Sequence, residues 1–286
     1  MHVPVMLAEC LEYLALRPEG IFLDATAGLG GHTGAIAAKL SSGFVIANDR
    51  DAESIELARK NTAEWADRIR FHHGTFSDLP EALAECGVER VDGLLADLGV
   101  SRYQLTEPER GFSLMADGPL DMRQDRSQGR TADEIVNFTP EKELADLIFQ
   151  LGEERRSRRI SRAIVRARPI HSTQRLSRVI EEAVPRTSKI HPATQTFQAL
   201  RMAVNDEQGE LDELLAIAPD LVKSGGRIVV LSFMSLEDRK VKQSFQALGR
   251  AGRAGILTKH VVRPSSEEIQ NNPPSRSAKL RALEMK

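Results

Sequence analysis

The chain reads as an α/β fold built on a parallel sheet, with a helical unit inserted before the last part of the sheet. Three observations predict this. Four short apolar runs alternate with helical patterns, as successive βα units do. Three of those runs close on an acid, at Asp24, Asp49 and Asp97. A fifth run, within residues 225–233, follows a glycine pair but comes far later than one crossover helix allows.

The first unit holds the most informative stretch. Ile21, Phe22 and Leu23 are a buried strand ending at Asp24, and Ala27, Gly28, Leu29, Gly30 and Gly31 form a tight turn. From His32 onward Thr33, Ala35, Ile36, Ala37, Ala38 and Leu40 read as a helix. Glycines let a ligand approach the backbone closely, and the new helix aims unpaired N–H groups into the turn. A dinucleotide fingerprint needs Gly-x-Gly-x-x-Gly; Gly28 and Gly30 fit it, but Thr33 stands at the third place. Asp49, closing the strand of Phe44, Val45, Ile46, Ala47 and Asn48, is placed to accept from a ribose hydroxyl. Dinucleotides and S-adenosylmethionine both carry such a ribose. Asp24 before the turn favours S-adenosylmethionine, whose methionine end carries an ammonium and no pyrophosphate. An ordinary glycine turn with no ligand is the weaker reading, because strand, turn, helix and terminal acid occur together.

The other elements follow in order. Residues 5–16 form a short amphipathic helix, with Val5, Leu7, Ala8, Leu11 and Leu14 on one face. Residues 51–66 form a helix carrying Ile55, Leu57, Ala58 and Trp65. Residues 69–73 are the third strand, 81–86 a helix, and 91–97 the fourth strand. Ligands of such a sheet sit at the carboxyl ends of its strands. Helical patterns then run over 131–137, 140–151, 153–168 and 173–184, with Leu144, Leu147, Ile148 and Leu151 at helical spacing. Further helices are expected at 194–205, 207–222 and 236–248, and strands near 256–262 and 278–284. The expected organisation is a sheet domain of residues 1–104 and 189–286 around an inserted helical substrate-recognition domain of 105–188.

The 286 residues carry a net charge of -2, so any nucleic-acid surface must be local. Between Arg155 and Arg178 there are nine arginines and no acid. Arg155, Arg158, Arg159, Arg162 and Arg166 recur at helical spacing. A solvated face paired with Glu153, Glu154, Glu181 and Glu182 would explain them. The missing acids favour a phosphate-tracking surface, and Arg155, Arg158, Arg159 and Arg162 are the expected RNA contacts. Arg276, Lys279 and Arg281 form a second basic stretch. Cys10 and Cys86 stand alone, which argues for a reducing compartment without disulfides or structural zinc. No signal peptide, transit peptide or membrane span is read in the chain, so it is expected to be soluble and cytoplasmic. No metal site is expected.

These stretches resemble one family closely, the RsmH (MraW) ribosomal RNA small-subunit methyltransferases. The resemblance rests on His2-Val3-Pro4-Val5, Gly30-Gly31-His32-Thr33, Asp49-Arg50-Asp51, Asp97-Leu98-Gly99-Val100-Ser101, Arg110-Gly111-Phe112-Ser113, and the stretch from Asp117 to Arg123. It continues through His191-Pro192-Ala193-Thr194, Thr196 to Arg201, and Ser235-Leu236-Glu237-Asp238-Arg239. It implies a Rossmann-like, class I S-adenosylmethionine-dependent methyltransferase fold, with a mostly parallel seven-stranded sheet and an inserted helical domain. It implies methylation of the exocyclic N4 amine of a cytidine in the decoding region of 16S ribosomal RNA. The partner is then the small ribosomal subunit, with no membrane, and a homodimer stays open. The family's cofactor contacts fall on Gly30, Gly31, His32, Asp49, Phe76, Asp97 and Gln104. Two places depart from the family: Met234 replaces a histidine, which argues against an obligatory base there, and Arg102-Tyr103 replaces Ser-Pro.

Methyl transfer from a sulfonium is an in-line displacement, so positioning dominates. A cytosine amine is a weak nucleophile, and an acceptor on its hydrogens helps localise the lone pair. Asp97, with the carbonyls of Leu98 and Gly99, is placed for this and is the expected catalytic residue. Tyr103, Phe112 and Phe233 are the candidates to stack a flipped base. His32 is expected to give shape and hydrogen bonds to the cofactor pocket. A small-molecule or protein methyltransferase, and a non-catalytic RNA-binding factor that kept the fold, are the competing readings. The arginines argue against the first, and the intact Asp49, Asp97 and glycine turn against the second.

Overall fold

The computed structural model describes residues 4–186 and 190–286. His2 and Val3 of the resemblance, and the domain boundary expected at 188/189, lie outside the described residues. The chain forms two compact units, one of Met1–Gly99 with Gln208–Lys286, the other of Val100–Glu207.

The first unit opens with helix α1 (Leu7–Leu14), strand β1 (Ile21–Asp24), α2 (Gly31–Ala37), β2 (Phe44–Asp49), α3 (Ala52–Asn61), β3 (Ile69–His73), α4 (Leu79–Glu85) and β4 (Val91–Asp97). The second unit holds α5 (Arg102–Thr106), α6 (Ala132–Phe138), α7 (Glu141–Gly152), α8 (Ser157–Ala167), α9 (Thr173–Ala183) and α10 (Thr194–Val204). The chain returns through α11 (Glu207–Leu221) to β5 (Val222–Ser232), α12 (Ser235–Arg250), β6 (Ala254–Ile256), α13 (Ser266–Asn271) and β7 (Lys279–Met285). The strands form one seven-stranded sheet in the order β3-β2-β1-β4-β5-β7-β6. Neighbours from β3 to β5 pair in parallel, while β7 runs antiparallel to β5 and β6.

Period-two alternation explains why these runs are strands buried on both sides. Leu23, Ile46, Leu94, Ile228 and Val230 join one core with Leu79 and Leu83 of α4, Leu211 and Leu214 of α11, and Val241 and Phe245 of α12. Their neighbours Phe22, Val45, Leu95, Val229 and Leu231 join the opposite core with Cys10 and Leu14 of α1 and Ile36 of α2. Both faces are covered, so strand ends are the places left for a ligand.

The second unit has its own core. Leu144 and Ile148 of α7, Ile160 and Ile164 of α8, Leu176 and Ile180 of α9, and Phe197 and Leu200 of α10 pack together. This unit is wider than the expected 105–188 on both sides, because α10 closes the helical core through Phe197 and Leu200. Other departures are local. The helix expected over 51–66 stops at Asn61, where the Thr62 hydroxyl bonds the Ala58 carbonyl at 2.8 Å and Trp65 falls in a separate 3-10 turn, Ala63–Arg68. The helix expected over 153–168 begins only at Ser157, after Glu153 takes a left-handed φ of 52°. The strand expected near 256–262 is instead Ala254–Ile256, and Val262 makes only an isolated bridge to Leu280.

Gly152 shows how tightly α7 and α10 meet. A Cβ there would run into the Gln195 carbonyl oxygen and lie 3.1 Å from the Ala199 Cβ. Gly152→Ala must therefore push two backbones apart, costing about 1–3 kcal/mol as overpacking does. Chemical denaturation should show this loss of stability.

Candidate active site

The carboxyl ends of β2, β1 and β4 are adjacent, and each ends in an acid. Together they hold the turn between β1 and α2. Asp24 accepts from the Thr26 N–H at 3.1 Å and from the Thr33 hydroxyl at 2.7 Å. Asp49 accepts from the Gly28 N–H at 2.7 Å and the Asp51 N–H at 2.9 Å. The Asp97 N–H donates to the Thr26 hydroxyl oxygen at 2.7 Å. The β3 loop is tied to the same edge, because Gly74 N–H donates to the Asp49 carbonyl at 3.1 Å.

The glycines of the turn serve different ends. Gly28 and Gly30 have φ of 52° and 85°, which an L side chain rarely adopts. A Cβ on Gly30 would strike Thr62 at 2.8 Å, and one on Gly31 would strike Pro4 at 2.6 Å. Gly28 is different: the nearest heavy atom would be 4.0 Å away, so this glycine borders open space. The resemblance implies cofactor contacts at Gly30 and Gly31, and Gly28, which shares their Gly-x-Gly pattern, is the one of the three that borders open space.

His32 is 6% exposed and stands beside this turn. Its Nε2 lies 3.0 Å from the Val5 carbonyl and its Nδ1 3.7 Å from Asp97 Oδ2. Asp97 keeps 25% of its side chain exposed, yet its Oδ1 is buried without a hydrogen-bond partner among the described residues. A buried acceptor left unpaired is costly and marks capacity for a partner. Burial pushes the Asp97 carboxyl up to about 6, with His32 pulling it down and Asp24 and Glu237 adding to the rise. Burial also pushes Asp49 up to about 6, against the pull of its two backbone donors, and it raises Asp24.

The remaining expected residues divide. Phe76 follows β3, half-buried, with its N–H donating to Glu210 Oε2 at 3.0 Å. Gln104 belongs to the second unit, where its Oε1 accepts the Ser101 N–H at 2.9 Å in a helix cap. Phe112 is buried in the helical core, Phe233 packs against the sheet core, and Tyr103 is half-buried. Arg155, Arg158 and Arg159 are exposed with no ion pair among the described residues, while Arg162 reaches Glu141 at 3.5 Å. The expected partner Glu154 is taken by Arg156, and Glu181 by His191. The second basic stretch is only partly open: Arg276 is exposed and Lys279 half-buried, while Arg281 is 8% exposed and clamps Asp238 through two bonds of 2.6 and 3.2 Å. Met234 tops β5, where its N–H and that of Phe233 both donate to Glu237 Oε2 at 3.0 Å.

The model of the MraW methylase family matches residues 1–286. The chain belongs to that family. Within it, the chain is 68% identical over 286 residues to the ribosomal RNA small subunit methyltransferase H of Solibacter usitatus, covering 100% of both. It is 50% identical over 295 residues to the protein of the same name from Acidobacterium capsulatum, covering 100% of this chain and 98% of that one. Among solved structures, a candidate rRNA-methylase from Clostridium thermocellum aligns over 100% of both chains with a TM-score of 0.51 at 12% identity, a likeness of fold. The fold is Rossmann-like, that of S-adenosylmethionine-dependent methyltransferases, and the cofactor of this methylase is S-adenosylmethionine. The turn fits that group: Gly28 leaves room for close approach, and three acids gather where a cationic end is needed. Among the described residues no helix is long and apolar enough to cross a membrane, and none of their His, Cys, Asp and Glu groups would hold a metal.

The raised carboxyls give a pH signature. In the unfolded chain they titrate near 3.8, so the fold binds their protons more tightly and loses stability as pH rises from about 4 to 6. A ligand whose hydroxyls donate to ionised Asp49 must in turn bind more weakly as pH falls through about 6. Calorimetry should show this for S-adenosylmethionine. Asp49→Ala should lose about 1.5–3 kcal/mol per bond removed and show a smaller pH step. An unchanged dissociation constant would mean the ribose is held elsewhere.

Proposed function

We propose that this chain transfers the methyl group of S-adenosylmethionine to small-subunit ribosomal RNA, at the exocyclic N4 amine of a cytidine in the decoding region of 16S RNA. The observation that carries the reading is Asp97, a strand-end carboxylate with unspent acceptor capacity beside the glycine turn. The names of the relatives at 68% and 50% identity support ribosomal RNA as the substrate. The choice of N4 and of the decoding region follows from the family motifs.

Bound at the turn, S-adenosylmethionine supplies a methyl group activated by a sulfonium. Gly28, Gly30, Gly31 and His32 would line its place, with Asp49 accepting from the ribose hydroxyls and Phe76 flanking it. Asp97 accepts an N–H of the target amine, which draws the nitrogen lone pair out of the ring and orients it. The methylated amine is acidic, so it sheds its surplus proton without a strong base. Met234 carries no proton-transfer group, which accords with that chemistry. The target base must leave its stack. Arg155, Arg158, Arg159 and Arg162 on and beside α8 supply guanidinium groups for phosphates, and three of them spend none on carboxylates of the described residues.

Mass mapping of methylated nucleosides in small-subunit rRNA, from cells with and without the protein, tests the proposal. A single N4-methylcytidine signal should vanish in its absence. Asp97→Ala should slow single-turnover methylation about a hundredfold or more, with a smaller effect on cofactor affinity. A parent-like rate would remove Asp97 from the mechanism. Changing Arg155, Arg158, Arg159 and Arg162 together to Gln should weaken RNA binding and lower the slope of log K against log salt by about one unit per lost contact. An identical slope in a folded variant would place the RNA surface elsewhere.

A further inference from the structure

His32 is held from both sides by oxygen. Its Nε2 lies 3.0 Å from the Val5 carbonyl, an atom that can only accept, so Nε2 carries a hydrogen. The other nitrogen, Nδ1, then faces Asp97 Oδ2 at 3.7 Å. In a neutral imidazole that nitrogen would present a lone pair to a carboxylate, which is repulsive. One proton between the two groups turns the contact into an attraction, whether it resides on nitrogen or on oxygen. The surroundings favour keeping it. Asp24 on β1, with its oxygens on Thr26 and Thr33, and Glu237 on α12, with Oε2 on two backbone N–H groups, both face Asp97. Cys10 of α1 packs nearby and its thiol is pushed up by burial and by the Asp97 charge. His32 is the basic group among them.

We infer that His32 and Asp97 form a dyad that carries one proton, on Nδ1 or on Oδ2, across a 3.7 Å ion-pair contact, with the Val5 carbonyl fixing the ring, and that His32 is the positioning residue orienting Asp97 toward the target amine. The inference rests on the proposed methyl transfer for its purpose, but not for its existence. Burial raises the Asp97 carboxyl and the His32 charge pulls it back, so its value of about 6 is already the balance of the two.

The test uses the full chain, free of RNA, with labelled histidine ring nitrogens and aspartate carboxyl carbons followed by NMR across pH 4.5 to 8.5. Nε2 should stay protonated throughout. His32→Gln should move the Asp97 midpoint up by about one to three units, and Asp97→Asn should shift the His32 Nδ1 resonance. The parent's single-turnover rate should fall on the acid side along a limb centred at the Asp97 midpoint, and His32→Gln should shift that limb upward with the NMR midpoint. An Asp97 midpoint that ignores His32→Gln would overturn the dyad, and an unmoved Nδ1 resonance in Asp97→Asn decides this if His32→Gln does not fold. An acid limb unmoved by His32→Gln would overturn the positioning role. An Asp97 midpoint that does depend on His32, in a protein that methylates no rRNA, would overturn the proposed function and leave the dyad standing.

Discussion

The turn between β1 and α2 is held by acids. Its backbone would not keep this shape alone, since Gly28 and Gly30 both sit in the left-handed region. Asp24, Asp49 and the backbone of Asp97 each contribute a bond to it, and the sheet order β2-β1-β4 brings the three strand ends side by side. The geometry of the pocket thus depends on a parallel register set by apolar side chains on both sheet faces. Charge-assisted bonds to backbone N–H groups are stronger than neutral ones. They let a loop with almost no side chains hold a fixed form.

That arrangement has an electrostatic cost that says something about the ligand. Three carboxyls crowd one edge, and burial raises all three. A pyrophosphate brought to this turn would meet like charge at close range. A ligand with a cationic end and neutral ribose hydroxyls relieves the crowding and gives the acids donors to accept from. The failed third glycine at Thr33 points the same way. Its hydroxyl is spent on Asp24 at 2.7 Å, so the position secures an acid where a dinucleotide fold would need only a small residue.

Much of this was legible in the sequence because it is local. Strand alternation, strand-terminal acids and the glycine run depend on neighbours along the chain, and they located the sheet, the turn and the acids Asp24, Asp49 and Asp97. What was not legible depends on the third dimension. Nothing in the spacing of Val5, His32 and Asp97 announces that one imidazole spans two of them. Gln104, a cofactor contact that the resemblance implies, also caps a helix with its Oε1, which the spacing did not announce. The helix of residues 194–204 falls in the helical unit because Phe197 and Leu200 fill its core, a pairing no periodicity reveals.

The arginines make the same point about charge. By sequence, Arg281 and Arg159 are equivalent members of basic stretches in a chain of net charge -2. In the fold Arg281 is buried and spends two donors on Asp238, so its charge is cancelled at contact distance and offers little to a phosphate. Arg155, Arg158 and Arg159 lie exposed without a carboxylate partner among the described residues, and their charge is felt over the roughly 8 Å that physiological salt permits. Net charge therefore understates what this chain can attract. The capacity to hold a polyanion is set by which guanidinium groups the fold leaves unmatched, and on α8 the absence of an interleaved acid is what leaves them so.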